Sequence, residues 1–142
     1  MTTKAPSSVQ DLQKHLQNTK LVTVKDKNGE EFVFKILPVS MAKWDHDENM
    51  WQTVAEDPKV YQDVVKKAVE GPTDAVVRRV IMSACQEPRV SQVADKDAVL
   101  LEDLMRHDIL IINLYAEIVD HSFSGILKTE ATDARSGSPG NS

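Results

Sequence analysis

The sequence predicts a mainly α-helical α+β domain, with an N-terminal β-hairpin packed on a bundle of about five helices. One hairpin pattern, in which Asn28-Gly29 separates two apolar segments, lies near the start of the chain. From residue 40 to residue 125, apolar residues recur at helical spacing between Gly and Pro positions that end helices. A chain of 142 residues, 41% of them hydrophobic, suits one domain of common size.

The N-terminal arm, residues 1–19, is expected to hold one short helix. Ser7 or Ser8 suits its N-cap, and Val9, Leu12 and Leu16 fall on one face. The globular domain is expected over residues 20–127. From residue 128 the chain consists mostly of small and polar residues, which predicts a disordered tail over 128–142.

The hairpin is predicted from alternation. Residues 21–24 form the first strand, residues 25–30 the turn, and residues 31–37 the returning strand. Phe32, Phe34 and Ile36 share one face of the second strand. Because a hairpin alone is marginal in water, this apolar face should pack on helices.

The helices are predicted from apolar spacing and capping residues. Ser40 is the expected N-cap of a helix that runs to about residue 53, and Gly125 the expected C-cap of a last helix over residues 109–123. Residues 90–95 are expected to be a connector, and Asp95 or Asp97 to cap a short helix that follows it. The predicted core shared by these helices consists of Val80, Ile81, Ala84, Leu104, Ile112 and Val119.

Composition excludes several classes of function. The net charge of −5 argues against binding of nucleic acid through its phosphates and against a polybasic membrane anchor. A single cysteine, Cys85, excludes an internal disulfide and fits the reducing cytoplasm. The longest apolar run, residues 109–112, is too short to span a bilayer, and residues 1–8 do not resemble a signal peptide.

No motif of the sequence points to catalysis, to a cofactor or to a metal. His46 and its acidic neighbours at residues 45–48 lack a second histidine at helical spacing, so we interpret them as a solvated helix face. Glu117 and His121 share a helix face, but no nucleophile accompanies them. Cys85 is expected to be a buried, unreactive thiol.

Four residues are candidate contacts for a protein partner. Trp44 and Trp51 are seven apart and therefore lie nearly on one face of a helix. Leu110 falls near the polar stripe formed by Asn113, Glu117, Asp120 and Ser124, and Tyr115 lies on the same last helix. The two tryptophans fit either the core or a sticky surface, and core is the commoner case.

The order of these elements resembles that of the tail assembly chaperones of long-tailed bacteriophages. The resemblance covers about residues 20–125. It includes the hairpin ending in Phe34-Lys35-Ile36-Leu37-Pro38, the helix predicted from Ser40, the segment Ala84-Cys85-Gln86-Glu87-Pro88, and the closing helices over residues 100–123.

The resemblance implies a non-catalytic assembly factor. Such a protein binds the tape measure protein in the host cytoplasm, keeps it soluble, helps recruit tail-tube subunits, and is absent from the finished virion. The resemblance also implies that a longer, frameshifted form of the chain is a possible partner. Two other classes stay open: another phage morphogenesis protein, such as a head–tail connector or tail completion factor, and a small bacterial adaptor or regulatory module. An enzyme is the least favoured class.

Overall fold

The chain begins with a short helix and a β-hairpin and continues as helices interrupted by three short strands. The computed structural model describes residues 5–44 and 50–136. As the sequence predicts, the architecture is mainly helical α+β with an N-terminal hairpin. The elements in chain order are α1 (Val9–Gln17), β1 (Lys20–Lys25), β2 (Glu31–Ile36), a 3-10 turn (Met41–Trp44), α2 (Met50–Glu56), a 3-10 turn (Pro58–Val60), α3 (Tyr61–Val69), α4 (Asp74–Ala84), β3 (Cys85–Glu87), β4 (Arg89–Ser91), β5 (Ala98–Leu100), α5 (Leu101–Met105) and α6 (Asp108–Ser136).

The hairpin forms where the sequence predicts it. β1 and β2 are antiparallel, with Val22 opposite Phe34 and Thr23 opposite Val33. The turn is closed by Asp26, whose Oδ1 accepts hydrogen bonds from the backbone N–H groups of residues 28 and 30 at 2.9 and 3.0 Å. Gly29 has a φ of +79°, a conformation that glycine adopts without steric cost. The Asn28-Gly29 signal therefore marks the turn correctly.

Three short strands after α4 were not predicted. Cys85–Glu87 adds β3 to the free side of β2, so the first sheet has the order β1-β2-β3. Arg89–Ser91 pairs in parallel with Ala98–Leu100 in a second sheet of two strands. The predicted connector over residues 90–95 therefore begins inside β4. The predicted cap of the following helix is also wrong, because Asp95 and Asp97 precede β5 and α5 begins only at Leu101.

The hydrophobic core lies between the inner face of the hairpin, α4 and α6. Ile36 of β2, Ile81 of α4, and Leu114 and Ile118 of α6 are all fully buried. Four members of the predicted core, Val80, Ile81, Ala84 and Leu104, are confirmed as buried. Val119 is partly buried and packs against this cluster.

The expectation that Ile112 is a core residue was wrong, since 58% of Ile112 is exposed. The buried residues of α6 in this part are Leu110, Ile111, Leu114 and Ile118. With 3.6 residues per turn, positions two apart lie about 200° apart around a helix, so residue 112 faces away from residues 110 and 114. The apolar run over residues 109–112 therefore includes both buried residues, Leu110 and Ile111, and exposed residues, Ile109 and Ile112.

Two predicted helix boundaries also differ from the structure. The helix predicted over residues 40–53 is represented by the 3-10 turn at Met41–Trp44 and by α2, which starts at Met50; residues 45–49 lie outside the described part. The Ser40 hydroxyl does cap, but it accepts from Ala42 N–H at 3.3 Å in the 3-10 turn.

At the other end, α6 passes Gly125 and continues to Ser136, so Gly125 is not a C-cap and residues 128–136 are helical. The helix is broken at Phe123 (φ −134°, ψ 18°). Lys128, Glu130, Ala131, Ala134 and Arg135 are good helix formers, which accounts for the continuation. Residues 137–142 of the predicted tail lie outside the described part.

Mutation can distinguish the predicted core residue that is buried, Ile81, from the one that is exposed, Ile112. Ile81→Ala should lower the free energy of unfolding by roughly 2 to 5 kcal/mol, because Ile81 is completely buried. Ile112→Ala, the matched control on an exposed site, should change it by less than about 0.5 kcal/mol. Urea unfolding followed by circular dichroism measures both values. Equal losses in the two variants would contradict the assignment of faces on α6.

Candidate functional site

Trp44 lies in the core and not on the surface. Only 1% of its surface is exposed. Its indole Nε1–H donates to the Tyr115 hydroxyl at 2.7 Å, and that hydroxyl donates to the backbone carbonyl of Val69 at 3.2 Å. The indole ring also packs on the ring of Phe123, with centroids 5.0 Å apart. Of the two alternatives for Trp44, core and sticky surface, the structure shows the core.

The structure also describes the side chains of two other candidate partner contacts, Leu110 and Tyr115. Leu110 is 8% exposed and belongs to the core, so it offers no surface to a partner. Tyr115 is half-buried and its hydroxyl is engaged by Trp44 and Val69. Burial also raises the pKa of the Tyr115 hydroxyl, which keeps it neutral and able to donate. The side chain of Trp51 lies outside the described part of the structure.

The polar stripe of α6 packs along β1, which is an edge strand of the first sheet. Asn113 Nδ2 donates to the carbonyl of Lys25 at 2.9 Å, at the end of β1. Asp120 lies 3.7 Å from the ammonium group of Lys20, at its beginning. An edge strand presents unpaired backbone groups that other chains can bind. Asn113 therefore satisfies one backbone carbonyl at the end of this strand, and Asp120 neutralises a side chain at its beginning.

The structure shows a contact for His121 of the Glu117 and His121 pair. Nε2 of His121 lies 2.6 Å from the carbonyl oxygen of Asn18, which connects α6 to the link between α1 and β1. This contact uses the histidine as a structural hydrogen-bonding group. The interpretation of the pair as structural or exposed stays a prediction for Glu117.

Cys85 is buried at the junction of α4 and β3, with 6% of its surface exposed. Burial raises the pKa of its thiol to about 12, far above its ordinary value of 9.0. The thiolate, which is the nucleophilic form, is therefore disfavoured at neutral pH. The expectation of a buried thiol is confirmed.

The accessible apolar surface lies elsewhere, on residues that sequence reasoning did not propose as contacts. The exposed large apolar side chains belong to the arm, to the hairpin, to the loop before β5 and to the start of α6. These residues are Val9 (82%), Leu16 (60%), Leu12 (50%), Leu21 (69%), Phe32 (39%), Val33 (57%), Val93 (71%), Ile109 (45%) and Ile112 (58%). Of the three residues predicted to form the packed face of β2, Phe34 and Ile36 are therefore buried and Phe32 is exposed. The sequence contained a signal for the exposed surface of the arm. The arm has a clear apolar stripe, and no predicted element would cover that stripe.

Surface clefts and groups of metal-binding side chains are two further classes of candidate site. A cleft of about 320 Å³ lies between the hairpin turn and the start of α6, lined by Asp26, Lys27, Arg106, His107 and Ile109 among others. Within residues 5–44 and 50–136, no group of three or more His, Cys, Asp or Glu side chains is placed to hold a metal ion. The acidic cluster around His46 lies outside these ranges.

Removal of the Tyr115 hydroxyl should destabilise the fold. Tyr115→Phe leaves the Trp44 N–H and the Val69 carbonyl without this partner, at an expected cost of about 1 to 3 kcal/mol. Tyr61→Phe, which removes the hydroxyl of the other tyrosine, should cost less than about 0.5 kcal/mol. The measurement is urea unfolding of both variants. A cost at Tyr115 no larger than at Tyr61 would show that the pair contributes little.

The high pKa of Cys85 predicts a loss of stability at alkaline pH. Burial raises the pKa of the Cys85 thiol in the folded state. The contribution of the neutral thiol to the free energy of unfolding is therefore fully present below pH 9.0 and is lost as the pH rises toward about 12. Above pH 9.0, unfolding of the wild type should become easier by up to about 1.4 kcal/mol per pH unit relative to Cys85→Ala. Parallel denaturant titrations at a series of pH values measure this difference. Rapid modification of native Cys85 by a thiol reagent at neutral pH would contradict the burial on which it rests.

Comparisons of the whole chain bring no relative to this site. The chain matched no protein-family model, no curated protein and no solved structure. In the part of the chain that the structure describes, none of the helices combines the length and apolar character that crossing a bilayer requires.

Proposed function

We propose that the chain is a non-catalytic tail assembly chaperone of a long-tailed bacteriophage. It binds the tape measure protein in the host cytoplasm, keeps it soluble, and promotes assembly of tail-tube protein around it. A frameshifted longer form of the chain is a further possible partner. No cofactor takes part in this function, and neither nucleic acid nor membrane is a partner.

The observation that carries the proposal is the separation of a well-packed core from exposed apolar side chains on the arm and hairpin. A protein that shields apolar stripes of a partner needs a moderate apolar surface of its own. Val9, Leu16 and Leu21 supply such a surface, and none of them belongs to the core.

Charge supports the same function. The net charge of −5 keeps the chain soluble although it exposes apolar residues. Among the surface ion pairs, Arg78 of α4 binds Asp74 on its own helix and Glu102 of α5, and Arg89 binds Asp95 at 2.6 Å. Binding of a partner through apolar contacts should therefore weaken only modestly as salt increases.

Co-expression tests the proposal. The tape measure protein of the same phage should be largely insoluble alone and soluble when this chain is present, because its apolar helical stripes are then covered. The complex should co-purify at low and at high salt. Cell fractionation and affinity purification measure both effects, and an unrelated acidic protein of similar size is the control.

Two results would overturn the proposal. One is the absence of both binding and solubilisation when the two chains are co-expressed at matched levels. The other is recovery of the chain as a stoichiometric component of mature tails by mass spectrometry, which is the result expected for a head–tail connector or tail completion factor.

A further inference from the structure

The hairpin turn contains the pair Asn28-Gly29, in which a side-chain amide is followed directly by the backbone nitrogen of a glycine. No other asparagine in the sequence precedes a glycine. Both residues are exposed. A Cβ placed on Gly29 would meet no heavy atom within 4 Å, so the space beside this peptide bond is open to water.

An asparagine in this position can react with the next backbone nitrogen. The Gly29 nitrogen loses its proton and attacks Cγ of Asn28, and the new N–C bond closes a succinimide ring. The Cγ–Nδ2 bond breaks, and the leaving nitrogen takes up the proton and departs as ammonia. Water then opens the ring at either carbonyl, which leaves aspartate or isoaspartate at position 28. Glycine favours this attack because it has no side chain to hinder it.

The folded turn restrains the groups that this reaction needs. Gly29 N–H donates to the carbonyl of Asp26 at 3.1 Å, so the attacking nitrogen keeps its proton and is turned toward Asp26. Oδ1 of Asp26 accepts from the N–H groups of Asn28 and Glu30 at 2.9 and 3.0 Å, which fixes the chain on both sides of Gly29. Ring closure requires the nitrogen to turn toward the Asn28 side chain instead, and these bonds oppose that rotation.

The turn can open without unfolding of the body. None of residues 25–30 belongs to the hydrophobic core. Local opening of an exposed segment costs less free energy than global unfolding. When opening and closing are fast relative to a slow chemical step, the rate of that step follows the population of the open form. The stability of the turn therefore controls how often Asn28 can react.

We propose that Asn28 is a site of spontaneous deamidation and that Asp26, by holding the turn closed, sets the rate of this reaction in the folded protein. This inference is independent of the proposed function. The product has one more negative charge, and in the isoaspartate form the main chain runs through the former side chain. Such a chain cannot keep the hydrogen bonds to Asp26 in register. The reaction therefore alters the turn and the cleft that Asn28 lines together with Arg106 and His107.

The first test compares folded and urea-unfolded wild-type chain at mildly alkaline pH. Peptide mass mapping follows the modification, and an enzymatic assay measures isoaspartate. Asn28 should react at least roughly tenfold more slowly in the folded chain, because several backbone hydrogen bonds must be lost to open the turn. Asn113 is the internal control. Its Nδ2 donates to the carbonyl of Lys25 at 2.9 Å and Leu114 follows it, so it should stay unmodified while the chain is folded.

Two substitutions test the role of Asp26. Asp26→Ala removes the side-chain acceptor and should raise the rate at Asn28 in the folded chain by roughly tenfold, with faster hydrogen exchange of the Gly29 amide. Asp26→Asn, the matched control, keeps an Oδ1 acceptor without the charge and should retain the slow rate. Circular dichroism and tryptophan fluorescence verify that both variants keep the fold.

Several results would overturn the inference. One is an equal rate at Asn28 in folded and unfolded wild type. Another is a folded Asp26→Ala chain that reacts no faster than the wild type. An Asp26→Asn chain as reactive as Asp26→Ala would show that charge rather than hydrogen bonding controls the rate, with the same consequence. If Asp26→Ala does not fold, hydrogen exchange of the Gly29 amide in the wild type decides, because exchange as fast as in an unstructured peptide would show that the turn is not held closed.

Discussion

The hydrogen-bonded chain from Trp44 through Tyr115 to the Val69 carbonyl joins three separate parts of the fold. Trp44 ends the 3-10 turn after the hairpin, Val69 ends α3, and Tyr115 lies in the middle of α6. An indole N–H buried without an acceptor would cost more than the bond contributes, so the three elements must meet in one arrangement. The ring of Trp44 also packs on that of Phe123, the residue at which α6 is broken.

Helix α6 serves two neighbours with two different faces. Leu114 and Ile118 are buried in the core against the hairpin and α4. Asn113, Asp120 and His121 hold the first strand and the link before it. A helix that is apolar on one side and carries a narrow polar stripe on the next side can thus close a core and bind polar groups at both ends of an edge strand.

Sequence reasoning located the elements whose signals are local. The hairpin follows from Asn28-Gly29 and from alternation in residues 31–37, and the buried face of α4 follows from the spacing of Val76, Val80 and Ile81. Short strands have no such signal. β3 has three residues and exists because Ile36 and Lys35 of a distant segment offer it backbone partners. Three residues are too few for periodicity to distinguish a strand from a loop.

The candidate site was harder to predict because exposure depends on what packs against a residue. Trp44 and Leu110 resemble sticky surface residues in a list of large apolar side chains, yet both are buried. The ring neighbours of Trp44, Tyr115 and Phe123, come from the distant helix α6. Ile112 lies in an apolar run and nevertheless faces solvent. The exposure of α1 was visible only as the lack of any predicted element to cover it.

The absence of buried residues in α1 gives its sequence a freedom that the rest of the chain does not have. A substitution at Ile81 or Leu114 must satisfy a packed interior, whereas a substitution on the outward face of α1 leaves that interior unchanged. Changes in the arm can therefore accumulate without loss of folding stability, limited only by what the arm contacts. The residues on which folding stability depends and the exposed apolar residues of the arm thereby lie in separate stretches of the same short chain.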